Sequence, residues 1–383
     1  MAIVMVYSFP VLRIRQIGTK FEFELTDPKS MQIIRIDRKK AMFTEASKKI
    51  LSSYSELVAL ADTDDYDEKA FSRELGCLAV QTGKILNSVF KDLCFNIRKE
   101  SNLAFALDNE TVKIPWELAY LPKNPKLGYR EMLCEKMGVG RLRVVKAKYW
   151  LDPPDRRRKN KALVVGTNYE KTKRKISRLK YAEDEAEKVA QILESHGFKD
   201  TILLTGPKAT KKAVLAELKK GVDLFHFTGH GDMSRNSSVI CMNDYDLSAR
   251  IFEKESKHCD APRMTFFNAC KSSVDTPKKE RPTCVPYSWA YALAGQGGRV
   301  FVGTLWSVCE PYAEDFAQAF YKEFLGRKRK TLAEAIQQAR IETFLKENSS
   351  EELKKYSLKQ SDSTWSGYML YGIPTLVKKD ILR

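Results

Sequence analysis

The chain has 383 residues, 43% hydrophobic and 30% charged, with a formal charge of +17. That length suits two domains with a sizeable core, and the composition excludes a largely disordered chain. No run approaches the roughly 20 uninterrupted apolar residues of a membrane helix, so no membrane partner is expected.

The N-terminus, MAIVMVYSFPVLRIRQIG, lacks a basic lead-in and a small-residue cleavage site, and reads as strand rather than leader. Residues 1–36 hold three strand-like runs, VLRIRQI, KFEFELT and MQIIRID, with Asp27-Pro28 as a turn. From about Asp37 to Lys99 apolar residues recur at three and four, which predicts two antiparallel helices joined by the acidic loop ADTDDYDE. The strand LAFALD, the segment IPWELAYL and a Pro- and Lys-rich loop follow.

Residues 156–180 carry eleven basic residues and one acid. This run accounts for most of the excess charge, and it flanks one short apolar strand, KALVVG. A single-strand nucleic-acid groove interleaves cations with aromatics over a whole face. The run therefore reads as an exposed linker and basic loop, with an acidic protein partner as the alternative.

From residue 161 strands and helices alternate. KALVVG is followed by the helix YAEDEAEKVAQILESHG, closed by Gly197. Then come the strand TILLTG, the helix KKAVLAELKKG, and the strands VDLFHFTG and RMTFFNA. The helix YSWAYALAG, the strand RVFVGTL and two further helices complete the series. Alternation of this kind predicts an α/β fold whose mostly parallel sheet is flanked by helices, with an α+β region before it. The expected division is 1–155 and 156–383.

Eight cysteines are present, the closest pair eleven residues apart, so neither a disulfide framework nor a C-x-x-C is expected. Free thiols point to a cytoplasmic location. No ligand spacing around Cys241, His258 or Cys259 supports a metal. His226 lies within a strand and reads as a core or supporting histidine.

In an open parallel sheet, sites form at the carboxyl ends of strands. Two such ends carry reactive groups: Gly229-His230-Gly231-Asp232 after one strand, and Cys270-Lys271-Ser272 after another. If these strands are neighbours, His230 and Cys270 face each other. An imidazole nearby supplies the base that a thiol needs. The N–H groups of Gly231 and Cys270 would then form an oxyanion hole. Asp232 is a candidate to hold a substrate main-chain group or to polarise His230, with a plain turn aspartate as the alternative. Asn268 orients the loop, lines the pocket, or serves only as a turn residue.

HFTGHGD, FFNACKSS forty residues later, GGRVFVGTLWSV, AEDFAQAFYKEFL, TLAEAIQQAR and WSGYMLYGIPTL together resemble a CHAT-domain protease over about 161–376. IPWELAYL and LCEKMGVGRL at 114–142 resemble the segment preceding that core. These are caspase-like cysteine peptidases of the group that includes separase. The resemblance implies a caspase–haemoglobinase fold, a His230–Cys270 dyad, and cleavage of a protein substrate without metal or cofactor. It also implies an effector of a prokaryotic defence or cell-death system, activated by a sensor protein docking on 1–155 or 156–180.

Two departures matter. The caspase signature Q-A-C-x-G is replaced by Asn268-Ala269-Cys270-Lys271-Ser272. The acidic pocket stretch of separase-like members is replaced by Trp306-Ser307-Val308-Cys309-Glu310. Glu310 is the candidate acid for a basic residue before the scissile bond, or else a helix N-terminal residue. With that specificity, the loop after Cys270 would hold a self-cleavage site at Lys278, Lys279 and Arg281. Two other classes compete: an inactive caspase-like scaffold and a basic nucleic-acid-binding regulator.

Overall fold

The computed structural model describes residues 8–29, 32–61, 67–122, 131–143, 160–234, 237–256, 260–269, 289–349 and 364–381. The N-terminal strands form as the alternation predicts: β1 Val11–Ile17, β2 Lys20–Asp27 and β3 Gln32–Lys39. Helices α1 Lys40–Ala61 and α2 Glu68–Asp92 follow. The Asp67 side chain caps α2 by accepting from the Ala70 N–H, satisfying one of the free donors at that end. Strands β4 Asn102–Leu107 and β5 Gly138–Arg143 complete this half.

The second half supplies β6 Lys161–Gly166, β7 Asp200–Thr205, β8 Leu224–Thr228, β12 Met264–Asn268, β13 Val300–Thr304 and β14 Tyr368–Tyr371. All eleven strands named so far share one sheet, in the order β3-β2-β1-β4-β5-β14-β13-β12-β8-β6-β7. Its pairings are parallel except β1–β2, β2–β3 and β13–β14. The segments 1–155 and 156–383 therefore contribute to a single continuous sheet. The boundary between them falls in 144–159, outside the described residues.

Side-chain alternation puts a core on each face of this sheet. Val164, Leu224, Phe266 and Val302 face α3 Ala182–Ser195, α7 Glu310–Leu325 and α8 Leu332–Ser349. Leu163, Val165, Phe225, Phe227 and Phe267 face α4 Lys211–Lys220, α5 Ala249–Glu255 and α6 Trp289–Gly295. The second core continues into the N-terminal helices: Tyr54 of α1 and Phe71 of α2 pack on Trp306, at centroid distances of 6.4 and 5.6 Å. This is the expected α/β architecture, a mostly parallel sheet with helices on both faces. A smaller antiparallel sheet, β9 Gly231–Ser234, β10 Ser237–Cys241 and β11 Asp246–Ser248, follows β8.

The seam between the halves is β5 against β14, where Arg141 is the paired residue opposite Tyr371. Arg141 is buried and holds Glu117 through Nε at 2.5 Å and Nη2 at 2.7 Å. Its remaining donors reach the carbonyls of Val112 and Ile114. Arg141 and Glu117 are both buried, so removing one leaves the other without its opposite charge. Arg141→Ala is expected to cost about 3–5 kcal/mol, read as a lower urea midpoint. Arg141→Lys is expected to recover little of it, since an ammonium cannot reproduce the two-pronged contact.

Candidate active site

β8 and β12 are neighbours inside the sheet, parallel, and in register from Met264↔Leu224 to Asn268↔Thr228. Just past that register the Gly229 N–H donates to the Asn268 carbonyl at 3.1 Å. His230 follows Thr228 by two residues, and Cys270 follows Asn268 by two. Cys270 and the loop to residue 288, with Lys278, Lys279 and Arg281, lie outside the described residues. The last described neighbour, Ala269, is buried, and its carbonyl accepts from Thr304 Oγ1 at 2.6 Å.

His230 is half-buried and held on three sides. Its backbone N–H donates to the Tyr169 hydroxyl at 2.9 Å, and that hydroxyl donates to the Cys241 carbonyl at 2.7 Å. The Cys241 N–H returns to the His230 carbonyl at 2.9 Å, so Tyr169 is inserted where a direct ladder bond would run. The imidazole stacks on the Tyr169 ring, centroids 5.0 Å apart. Nε2 lies 2.9 Å from the Ser177 carbonyl and 3.0 Å from Ser177 Oγ. A carbonyl only accepts, so Nε2 carries the proton and Nδ1 has the free lone pair. No described residue hydrogen-bonds Nδ1.

Tyr169 is itself unusual. Its φ of +61° is rare for a bulky side chain, and it places the phenol under the Gly229-His230 turn. A Cβ on Gly229 would sit 2.8 Å from both Phe227 Cζ and Tyr169 Oη, so no side chain fits there. Gly231 opens β9 opposite Ile240. Because the 230/241 pair carries the ladder bond, antiparallel alternation turns the Gly231 N–H away from β10. Asp232 is exposed on the same edge strand.

Below the strand ends lies a buried polar cluster on Glu185 of α3, a residue only 2% exposed. Glu185 Oε1 accepts from His226 Nε2 at 3.0 Å and from Asn268 Nδ2 at 2.7 Å, and Oε2 accepts from Thr228 Oγ1 at 3.1 Å. His226 Nδ1 is 3.1 Å from the Tyr321 hydroxyl, whose pKa burial pushes well above its ordinary value, keeping it a donor. Asn268 also donates to the Ala313 carbonyl at 2.8 Å and accepts from the Tyr368 hydroxyl at 2.6 Å. The Asn268 side chain is thus committed inside this cluster, where it ties down the strand that leads to residue 270.

Glu310 is the first residue of α7, and its Oε2 accepts from the Lys180 and Tyr181 N–H groups at 2.7 and 2.9 Å. It fastens the start of α3, which has no side-chain cap of its own. Burial raises the thiols of Cys134 and Cys241 to about 12, so both stay protonated at neutral pH. Among the described residues no group of three or more His, Cys, Asp or Glu is placed to hold a metal. Nor does any described helix have the length and apolarity to cross a membrane. Tyr169, Ser177 and Glu185 were not singled out in the sequence. Only the acidic first turn of α3 was a visible signal, and it is indistinguishable from ordinary helix-dipole complementation.

A family model for the CHAT domain matches residues 86–373. No curated protein matches the sequence. Among solved structures, the chain is similar to separase of Saccharomyces cerevisiae in its complex with securin. That match has a TM-score of 0.60 at 11% identity, and covers 96% of this chain and 30% of the separase chain. A second separase–securin structure gives 0.57 at 12% identity, covering 95% and 30%. The Arg-specific cysteine proteinase gingipain R gives 0.49 at 10% identity, covering 88% of this chain and 76% of that one. The chain thus spans about 30% of the separase chain, and at these identities the likeness to separase is one of fold.

The Tyr169 hydroxyl satisfies two backbone groups at once. Tyr169→Phe is expected to lower stability by about 1–3 kcal/mol, the cost of leaving buried polar groups unpaired. An unchanged urea midpoint would show that the hydroxyl is not the bridge.

Proposed function

Because the chain belongs to the CHAT domain family, we propose that it is a cysteine endopeptidase in which His230 is the base and Cys270 the nucleophile. The observation that carries this reading is the Thr228↔Asn268 register, which delivers the two chain ends side by side. The Cys270 thiol passes its proton to His230 Nδ1, and the thiolate attacks a peptide carbonyl. The Gly231 and Cys270 N–H groups take the developing oxyanion. His230 then protonates the leaving amine, and water hydrolyses the thioester. Throughout, Nε2–H donates to the Ser177 carbonyl, which fixes the ring and steadies the imidazolium.

The proposal extends to specificity. Glu310 Oε1 takes no hydrogen bond from a described residue, which leaves it for a substrate Arg or Lys before the scissile bond, with exposed Asp232 as the second acid. The same preference would act on Lys278, Lys279 and Arg281 of the chain's own loop. We assign an activating protein partner to 1–155 or to the basic 156–180 segment, in a prokaryotic defence or cell-death system. Support comes from the family resemblance and from separase, solved in complex with securin.

The test is cleavage of a peptide library. Cys270→Ala is expected to abolish cleavage, and His230→Ala to slow it by about 10²–10⁴-fold. A peptide electrophile should label Cys270 only when His230 is present; general alkylators are unsuitable because Cys77 and Cys94 are exposed. Labelling indifferent to His230 would instead support an inactive scaffold. Glu310→Gln is expected to raise KM for Arg and Lys substrates, while cleavage after acidic residues would refute the pocket assignment. On incubation, cleavage at the loop lysines should occur in wild type and not in Cys270→Ala.

A further inference from the structure

The loop that holds His230 also carries a row of cations. From residue 171 to 177 exposure alternates: Lys171, Lys173, Lys175 and Ser177 are exposed, whereas Thr172, Arg174 and Ile176 are half-buried. The inward set has partners on the small antiparallel sheet. Thr172 Oγ1 donates to the Asn243 carbonyl at 2.6 Å. Arg174 donates to the Met242 carbonyl at 2.8 Å and pairs with Asp246 at 2.5 Å. Ile176 packs with Tyr169, Val239 and Cys241. These anchors hold Thr172, Arg174 and Ile176 against the small sheet and leave the three lysines exposed. Arg178 and Lys180, also exposed, continue the row past Ser177. Among the described residues none of the five forms an ion pair, and Glu170 is the only acid between 167 and 181.

We propose that this row binds an acidic stretch of the polypeptide that is cut, with Asp or Glu side chains against Lys171, Lys173 and Lys175. The exposed cations and the lack of any acid among residues 171–180 complement such a stretch by charge. The row runs past Ser177, the residue touching His230, so the acidic stretch flanks the bond at the reactive centre. Single-strand nucleic acid is the less fitting ligand, because its sites interleave aromatics for base stacking and residues 171–180 include none. That the ligand is a substrate rests on the endopeptidase reading; that the row binds acidic peptide does not.

The two parts separate experimentally. In the Cys270→Ala protein, fluorescence anisotropy compares two labelled peptides that differ only in Glu or Gln at three positions. At low ionic strength the Glu peptide is expected to bind about tenfold tighter, the sum of three weak exposed pairs, and the difference should shrink at high salt. In the Lys171→Gln/Lys173→Gln/Lys175→Gln background the ratio should fall to about one, with a wild-type thermal midpoint confirming the fold. Reversal to Lys171→Glu/Lys173→Glu/Lys175→Glu should transfer the preference to a Lys-bearing peptide. An unchanged ratio in the Gln background overturns the proposal. So does an oligonucleotide that binds through these lysines while the two peptides bind alike. If the Glu peptide binds but is never cut by protein retaining Cys270, the surface stands and the peptidase reading falls.

Discussion

A carboxylate buried among strand ends is costly unless its oxygens find donors, and Glu185 has three. Its donors are not interchangeable: Thr228 and His226 come from β8, and Asn268 from β12. The same charge therefore holds both strands at the height where each leaves the sheet. Shifting either strand by one residue would put Thr228 or Asn268 on the opposite face and leave the carboxylate uncompensated. The register that brings residues 230 and 270 to one edge is thus enforced by a polar penalty as well as by packing. Apolar side chains alone tolerate repacking, whereas an unsatisfied charge does not.

Helix α7 gathers the supports of this arrangement. Its Ala313 carbonyl takes Asn268, its Tyr321 reaches His226, its Glu314 pairs with Lys188 of α3, and its Glu310 holds the backbone at Lys180 and Tyr181. From Lys180 the chain runs back three residues to Ser177 and its contact with His230. The segment entering α7 is in turn gripped by the N-terminal helices. Tyr54 donates to the Leu305 carbonyl at 3.2 Å, and Trp306 packs between Tyr54 and Phe71. A continuous packed connection therefore runs from α1 and α2 through Trp306 and α7 to the loop under the histidine.

The parts legible in the sequence were those with a clear period. The runs KALVVG, VDLFHFTG, RMTFFNA and RVFVGTL became strands, and their helices fell between them, because apolar repeats of two and of 3.6 report burial directly. The order of those strands was another matter. That β8 and β12 are neighbours stood in the sequence only as a condition, since pairing is a long-range choice with no local signature. Strand β5, GVGRLR, hid behind two glycines, and Gly140 is there because a Cβ would meet the Gly372 carbonyl at 2.7 Å. The short strands β9 to β11 are too small and polar to show a period. Glu185 looked like one more acid on a solvated helix face. Glu310 could be placed at a helix start, but its partners lie about 130 residues away in sequence.

The charge of the chain divides along similar lines. Over the N-terminal strands, Arg13, Arg15 and Arg35 lie against Glu22 and Glu24, so cations there are neutralised locally. Lys161 sits between Asp200 and Glu217, and Lys219 pairs with Glu255. Such pairs add little to stability, but they cancel the field that a distant anion would feel. The loop from Lys171 to Lys180 has such cancellation, among the described residues, only at Arg174, by Asp246. Its like charges repel one another, and the conformation is held by uncharged and inward-facing contacts: Tyr169 to Cys241, Thr172 to Asn243, and the Asn168 N–H and side chain to Glu183. A net charge of +17 spread over paired residues would describe solubility only. The six cations of residues 171–180, gathered on one loop beside His230, make a directed electrostatic feature.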